Sequence, residues 1–530
     1  MRQAIRAKGG GVGVRGGGRQ VTKTYVRNPP TKGWVTNQNI ANMDEEAAVI
    51  LDNFFPEARD IRLRAGSVEH ASLPGADPVL TVAVYEQGGV TTIFAAQAGN
   101  IYDVTAGGTI TVPDVTGQNS DYYIGLNYVT SAGQYLYLVN GVDDPQIYDG
   151  SSWTTPTITG VTASDLNYVF AYKDRLFFLD GTSDVWFLDP DSIQGTAQKI
   201  ALGGYLKLGG TIIAGAAMMV DSGYGPDDYV VFISSEGEVV TYIGTDPADA
   251  NAWSLKGIFR IPRPIGIRCV LQLGSDIAVL CSDGVVSLTR AFQLDLAAQE
   301  RGSFSSNIRE AFSEQYALTG SLRGWQLISW PAAHMAVVNV PITLDVTSEQ
   351  YVMNVLTGAW ARYTNMNASS FALAQNTLYY GSTDGRVVIF ERGNSDLGQN
   401  INGLAIPAFS YMKAPGNLKH VKYYQSFFRG SGGYAVGMNI AVDFNLSDLA
   451  AENQSPTLTN QSLWDTAIWD SAVWSQQPDV FVSWLGVSGV GYYLAPVILA
   501  TSVDDGTGAS TDCRFLSLNM LYEESGATLG

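Results

Sequence analysis

Hydrophobic and polar residues alternate along most of this chain with a period of two, which puts successive side chains on opposite faces of a strand. From about Val79 to about Arg392 the alternation is organised into a repeating unit. Each unit is an apolar strand, a turn drawn from Gly, Asp, Ser and Asn, and a second apolar strand ending on a polar residue. The segments TVAVYEQGGVTTIFAAQAGNIYDVT, QYLYLVNGVDDPQIYDGSSW, DRLFFLDGTSDVWFLDP, DYVVFISSEGEVVTYIG, SDIAVLCSDGVVSLTR and NTLYYGSTDGRVVIFERG show it. Turns such as Ser282-Asp283-Gly284 and Thr383-Asp384-Gly385 supply residues that accept the positive φ of tight hairpins. Units begin near Gln134, Asp174, Asp227, Asp276 and Asn376, about 40–50 residues apart with one longer gap, the period of a four-stranded propeller blade. Roughly six or seven blades are expected, residues 303–364 forming one long irregular unit. Gly150-Ser151-Ser152-Trp153 and Gly358-Ala359-Trp360 read as outer-strand signals. A set of antiparallel sandwiches with similar turns is the alternative.

The flanks read differently. Residues 1–43 form a Gly-rich extension, followed by Met43 to Pro56, where Asp44 is placed to cap a short turn of helix. Ile61 to Ser67 alternates like a half-exposed strand. Residues 393–403 are polar and rich in Gly and Asn, as a linker is, and strand patterns resume beyond them. The expected fold class is therefore all-β: a basic N-terminal arm over 1–43, a β-propeller-like domain of short antiparallel strands over 44–392, and a C-terminal β domain over 404–530. That last part either stands alone or braces and closes the propeller.

Charge sharpens this picture. The net charge is -19, and only 15% of residues are charged against 46% hydrophobic, a balance that favours a folded chain with extensive protein-contacting surface over disorder. The first 43 residues carry eight basic residues (Arg2, Arg6, Lys8, Arg15, Arg19, Lys23, Arg27, Lys32) and no acid, so the rest of the chain has a net charge of -27. Such an acidic body repels a nucleic-acid backbone, and only the arm has DNA-binding polarity. The arm's Gly11 to Gly16 matches GxGxxG formally, but no strand precedes it and no helix follows, which argues against a dinucleotide site. No apolar run is long enough to span a bilayer, so no stable membrane insertion is expected. The arginine-bearing N-terminus has no hydrophobic core region, unlike a secretory signal, and folding in a cytosol is expected.

Enzymatic chemistry finds little support. Cys269, Cys281 and Cys513 are odd in number and widely spaced, as buried reduced thiols are. His70, His334 and His420 stand singly, so neither a His-based metal site nor a cofactor is expected. The acidic pairs Asp143-Asp144, Asp227-Asp228 and Asp504-Asp505 sit where turn chemistry explains them. Asp504 to Gly508 resembles a calcium loop loosely but lacks the EF-hand spacing and terminal Glu. No nucleophile elbow, P-loop or HExxH motif occurs. The chain is expected not to be an enzyme. A distinctive cluster is Trp464, Trp469 and Trp474, spaced by five in WDTAIWDSAVW, which suits aromatic anchors in an interface as well as packing within its own domain. Together with Arg2, Arg6, Lys8, Arg15 and Arg19 of the arm, these tryptophans are the candidate subunit-interface residues.

Several landmarks carry a family resemblance. Leu51 to Glu57, Ile61 to Ser67, Leu80 to Thr105 with its ending Gly99-Asn100-Ile101-Tyr102-Asp103-Val104-Thr105, the SLWDTAIWDSAVW segment and Gly486 to Gly491 resemble tail proteins of short-tailed bacteriophages. The family suggested is the tail nozzle, also called tubular tail protein B or packaged-DNA stabilisation protein. The resemblance implies a propeller-containing virion subunit, six around a central channel, assembled in the bacterial host cytoplasm. It further implies docking on the head-to-tail adaptor below the portal, retention of packaged DNA without sequence-specific binding, and support for tail fibres or spikes. It carries over no catalytic residue, and the Gly-rich arm matches no family feature. Two other classes compete: a carbohydrate-binding or carbohydrate-active propeller engaging the host surface, and a head decoration protein.

Overall fold

The computed structural model describes residues 22–221, 226–293, 302–431, 433–447, 453–454, 479–504 and 512–525. Strands dominate it, and their pairing resolves the repeating units into seven antiparallel blades. Blade 1 is Thr81–Gln87, Val90–Gln97 and Asn100–Asp103. Blade 2 runs Ile124–Thr130, Gly133–Val139, Gln146–Tyr148 and Trp153–Thr154, and blade 3 Tyr168–Tyr172, Arg175–Leu179, Asp184–Phe187 and Gln198–Ala201. Blade 4 is Ile212–Asp221, Pro226–Ser234, Glu238–Gly244 and Trp253–Arg260. Blade 5 has three strands, Val270–Leu273, Asp276–Cys281 and Gly284–Ser287. Blade 6 is Gln326–Trp330, Met335–Thr343, Thr347–Asn354 and Trp360–Tyr363, and blade 7 is Ala368–Ala374, Thr377–Ser382 and Arg386–Ile389.

The blades close into a ring. The first strand of each blade packs against its neighbour around the circle, and that of blade 7 packs on that of blade 1. Closure is sealed by chain from the other end: Val68–Ser72 supplies blade 7 with its fourth strand, antiparallel with Val387 opposite Ala71. Both residues are fully buried, so closure joins the ring through apolar contact as well as backbone hydrogen bonds. The long irregular unit expected over 303–364 separates into a helix, Arg309–Thr319, and blade 6. The helix buries Phe312 against Trp325 and Tyr351. The two Trp signals do start outer strands, in blades 2 and 6.

Beyond the ring lies a second β body that shares a sheet with it. Blade 6 continues through Gly33–Trp34 and Ala47–Asp52 into Asn402–Pro407, Leu494–Ser502, Tyr434–Val442 and Asn453–Gln454, a sheet of ten strands. The join requires Gly33: its φ is +76°, and a Cβ there would lie 2.5 Å from the Trp360 carbonyl oxygen. A six-stranded sheet faces this extension, built from Phe54–Pro56, Ile61–Leu63, Asp512–Ser525, Leu418–Ser431, Asp479–Gly491 and Thr22–Arg27. Tyr25, Phe54, Phe428 and Phe515 from one sheet and Val436, Met438 and Ile498 from the other fill the core between them.

The chain's division therefore differs from the sequence reading at three places. Within the expected arm, Thr22–Arg27 is a strand with Thr22 opposite Glu523, and its basic residues are engaged: Lys23 pairs with Glu524 at 2.8 Å, and Arg27 is buried. Asp44 caps no helix; its Oδ1 accepts from the Glu46 N–H in a turn leading into a strand. Residues 393–403 are more than a linker. Ser395–Asp396 pairs with Gln399–Asn400, Ser67 N–H donates to the Ser395 carbonyl, and Asp396 is buried against Arg64. Of the C-terminal strands, Asn402–Pro407, Leu494–Ser502, Tyr434–Val442 and Asn453–Gln454 share blade 6's sheet and are joined to the ring through continuous hydrogen bonding, while Leu418–Ser431, Asp479–Gly491 and Asp512–Ser525 belong to the facing sheet.

Candidate assembly surface

The basis of this surface is a sheet edge. Asp479–Gly491 pairs on one side with Leu418–Ser431, and no strand among the described residues occupies its other side. The segment, DVFVSWLGVSGVG, is thirteen residues long and carries a charge only at Asp479. Such length without charge leaves a row of backbone donors and acceptors ready to pair with another strand. Folding places the segment there because its alternation has one face to bury. Leu485 and Val487 pack against the core, and Gly489 lies so close to Ile440 of the facing sheet that a Cβ would be 3.1 Å from its Cγ2.

The opposite face is open and carries exposed aromatic and apolar side chains among polar ones. Trp484 is 48% exposed, Val490 47%, and Tyr423 of the adjoining strand 53%. The register sets Tyr423 opposite Gly486 and Gln425 opposite Trp484, so the Tyr423 ring lies over the glycine backbone. Gln425 is held by Asn519, whose Nδ2 donates to its Oε1 at 3.0 Å, and Val26, 59% exposed, continues the row on Thr22–Arg27. That strand forms the other edge of the sheet. One sheet thus offers two edges and an aromatic face between them, a composition typical of the centre of protein interfaces.

The body behind this surface is fixed by a buried polar cluster. Arg64, with no exposed side-chain surface, donates through Nη1 to Asp396 Oδ1 at 2.9 Å, through Nε to Asn53 Oδ1 at 2.8 Å, and through Nη2 to the Thr364 carbonyl at 3.0 Å. The Tyr363 ring lies 5.5 Å from its guanidinium carbon. Four separate stretches of chain meet at this one side chain.

The interface residues read from the sequence, Arg2, Arg6, Lys8, Arg15, Arg19, Trp464, Trp469 and Trp474, all lie outside the described residues. Trp484, Tyr423 and Val490 were missed by that reading. The signal that finds Trp484 and Val490 is the charge-free alternation of VSWLGVSGV in a chain whose turns are otherwise acidic; Tyr423 lies on another strand and gives no such sign. The expected chemical sites resolve into structure. Asp143 accepts from the Asn119 N–H, Asn119 Nδ2, Ser120 N–H and Asn140 Nδ2, an organised turn. Asp228 is ion-paired with Lys173, while Asp505 lies outside the described residues. His70 Nε2 is 2.8 Å from the Val104 carbonyl, His334 occupies a left-handed turn, and His420 faces Ser488 Oγ at 3.5 Å. The three cysteines are free and buried, and burial pushes the Cys269 thiol up to about 12. Among the described residues no cluster of His, Cys, Asp and Glu could hold a metal ion. No helix among them is long and apolar enough to cross a membrane.

No protein-family model matches the chain, and no curated protein matches it. Among solved structures it is similar to BBS1N in complex with ARL6DN, with 12% identity and a TM-score of 0.38, covering 64% of this chain and 100% of that one. The computationally designed Ika8 protein matches with 11% identity and a TM-score of 0.33, covering 61% and 99%. BamB from Moraxella catarrhalis matches with 12% identity and a TM-score of 0.33, covering 70% and 97%. Likeness at this level carries no function across, and the propeller-like architecture rests on the blade order described above.

Proposed function

We propose that this chain is a structural subunit of a short-tailed bacteriophage tail nozzle, a homo-oligomeric ring around the DNA exit channel. In this reading the ring, six-membered by the resemblance, docks on the adaptor below the portal, retains packaged DNA and supports fibre attachment. The observation that carries it is the edge Asp479–Gly491, charged only at Asp479, with its exposed aromatic face. A second copy presenting its Thr22–Arg27 edge to this one makes a heterologous contact, the kind that closes into a ring when repeated by rotation. The acidic body suits a channel that passes DNA without gripping it.

The test is the oligomeric state of the purified full chain by native mass spectrometry, together with its position in the particle by cryo-electron microscopy. A closed ring on the tail axis is expected. Trp484→Arg combined with Val490→Asp should abolish the ring while leaving the monomer's melting temperature unchanged, because both side chains point outward. A chain that stays monomeric at high concentration, sits as isolated copies on the head, or depolymerises polysaccharide would overturn the proposal.

A further inference from the structure

The central channel of the propeller contains a charge that the fold leaves uncompensated. A cavity of about 340 Å³ opens among the first strands of blades 1, 2, 3, 5, 6 and 7. Its wall mixes polar side chains, among them Thr81, Asn127, Gln326 and Ser370, with the apolar side chains of Val84, Ile124, Leu327 and Phe371, and its volume is that of a small-molecule site. Among the described residues lining it, Arg268 alone carries a formal charge.

Arg268 is held in place on one side and unsatisfied on the other. Its Nη2 donates to Thr81 Oγ1 and to the Tyr123 carbonyl, each at 2.8 Å, and its guanidinium carbon lies 3.9 Å from the centre of the Tyr122 ring. These contacts position the group without neutralising it. Nη1 is buried with no acceptor, and no carboxylate among the described residues lies within ion-pairing distance. The residue as a whole is partly buried and lines the cavity. Burial lowers its pKa from the ordinary arginine value, the direction expected of a cation with no partner, yet arginine remains charged at neutral pH. Arg64 shows what this fold does with a buried arginine it intends to satisfy: a carboxylate, an amide and a carbonyl accept from it. An unpaired cation lining a cavity calls for an anion from outside.

We propose that the channel binds a small oxyanion through Arg268, a carboxylate or phosphate group whose compact organic body rests on the apolar side chains of the wall, Val84, Ile124, Leu327 and Phe371. A turn of the guanidinium toward the cavity brings Nη1 to the ligand and gives it the acceptor it lacks, a charge-assisted bond. The site stands on the propeller alone and does not depend on the assembly role.

Isothermal titration of the full chain with acetate, benzoate and inorganic phosphate, each at constant ionic strength, tests this. Saturable binding of at least one probe is expected, and benzoate should bind more tightly than acetate if the wall takes the organic body. Arg268→Gln should weaken binding by about tenfold or more, with Arg268→Lys in between. Arg263→Gln, on the outer surface, should leave it unchanged. Because Arg268→Gln also removes the bonds to Thr81 and Tyr123, crystals of the unaltered chain soaked in sodium bromide give a second readout. An anomalous peak in the channel beside Arg268 is expected. No saturable binding by the folded chain, undiminished binding by Arg268→Gln, or bromide confined to the outer surface would overturn the proposal.

Discussion

Replacing Asp396 by Ala isolates the cost of leaving a buried cation without its partner. Arg64 has no exposed side-chain surface, and Asp396 is 9% exposed, so water does not reach the guanidinium to replace the lost carboxylate. The substitution deletes the carboxylate that accepts from both Nη1 and Nη2, while the bonds to Ala65, Asn53 and Thr364 remain. Removing one member of a buried pair costs about 3–5 kcal/mol, much of it the desolvation of the charge left behind. The junction opened by that loss is specific: the Gly66 and Gly393, Ser67 and Ser395, and Leu397 and Ser67 backbone bonds tie the N-terminal strands to 393–397. Hydrogen exchange by mass spectrometry reads it directly. Peptides covering 64–67 and 392–397 should exchange about a hundred- to several-thousand-fold faster, up to the ceiling set by global unfolding. The double variant Arg64→Met with Asp396→Leu removes the charge as well as its partner and should recover most of the protection. If Asp396→Ala alone changes exchange by less than about fivefold, roughly 1 kcal/mol, the cluster does not hold the junction and the reasoning fails.

Two further outcomes follow from local geometry. Gly33→Ala should lower the midpoint of urea unfolding by the equivalent of about 1–3 kcal/mol, because it forces a side chain into positive φ and onto the Trp360 backbone; an unchanged midpoint would mean the blade 6 junction is not as tight as drawn. Burial pushes the Asp143 carboxyl up, but hydrogen bonds from Asn119, Asn140 and Ser120 outweigh it and hold the group below its usual range. A depressed folded-state pKa gives stability that is present above the unfolded value of about 4 and lost as pH falls through the folded one. Melting curves of Asp143→Asn should therefore lie below those of the unaltered chain at pH 7 and converge with them in acid. A gap that persists at low pH would contradict this.

The units with a self-contained hairpin were legible in the sequence, and those completed from a distance were not. Asp283-Gly284 and Asp384-Gly385 announce their turns because the backbone there needs residues that tolerate it, Gly284 at φ +119° and Gly385 at +86°. The number of blades was hidden by the seventh, whose fourth strand, Val68–Ser72, comes from some 300 residues earlier in the chain, beyond the reach of any local period. Thr22–Arg27 was concealed by its surroundings: TKTYVR alternates as a strand, but its Lys and Arg merge with the basic extension until Glu524 and the core are seen to receive them. The candidate surface was legible only in part. VSWLGVSGV declares a strand with one apolar face too many, yet whether that face meets a sheet or solvent is decided by Ile440 and its neighbours on another strand. Arg268 gives no local sign at all, since its lack of a carboxylate depends on what blades 1 and 2 bring to it.

The order in which these pieces can form bears on the exposed edge. Val68–Ser72 cannot pair until Arg386–Ile389 exists, and Thr22–Arg27 cannot pair until Asp512–Ser525 does. Pairings of such separation carry the largest loop-closure cost and form late, so strand edges stay open while the chain is completed. Closing blade 7 covers the ring's edge, and docking Thr22–Arg27 covers one side of the last strand. Asp479–Gly491 gains no such cover from within the described chain. Among the described residues the chain covers the edges of blade 7 and of Asp512–Ser525 with segments drawn from hundreds of residues away, and leaves Asp479–Gly491, charged only at Asp479, uncovered beside Trp484 and Tyr423; under the proposed function that is where a second subunit pairs.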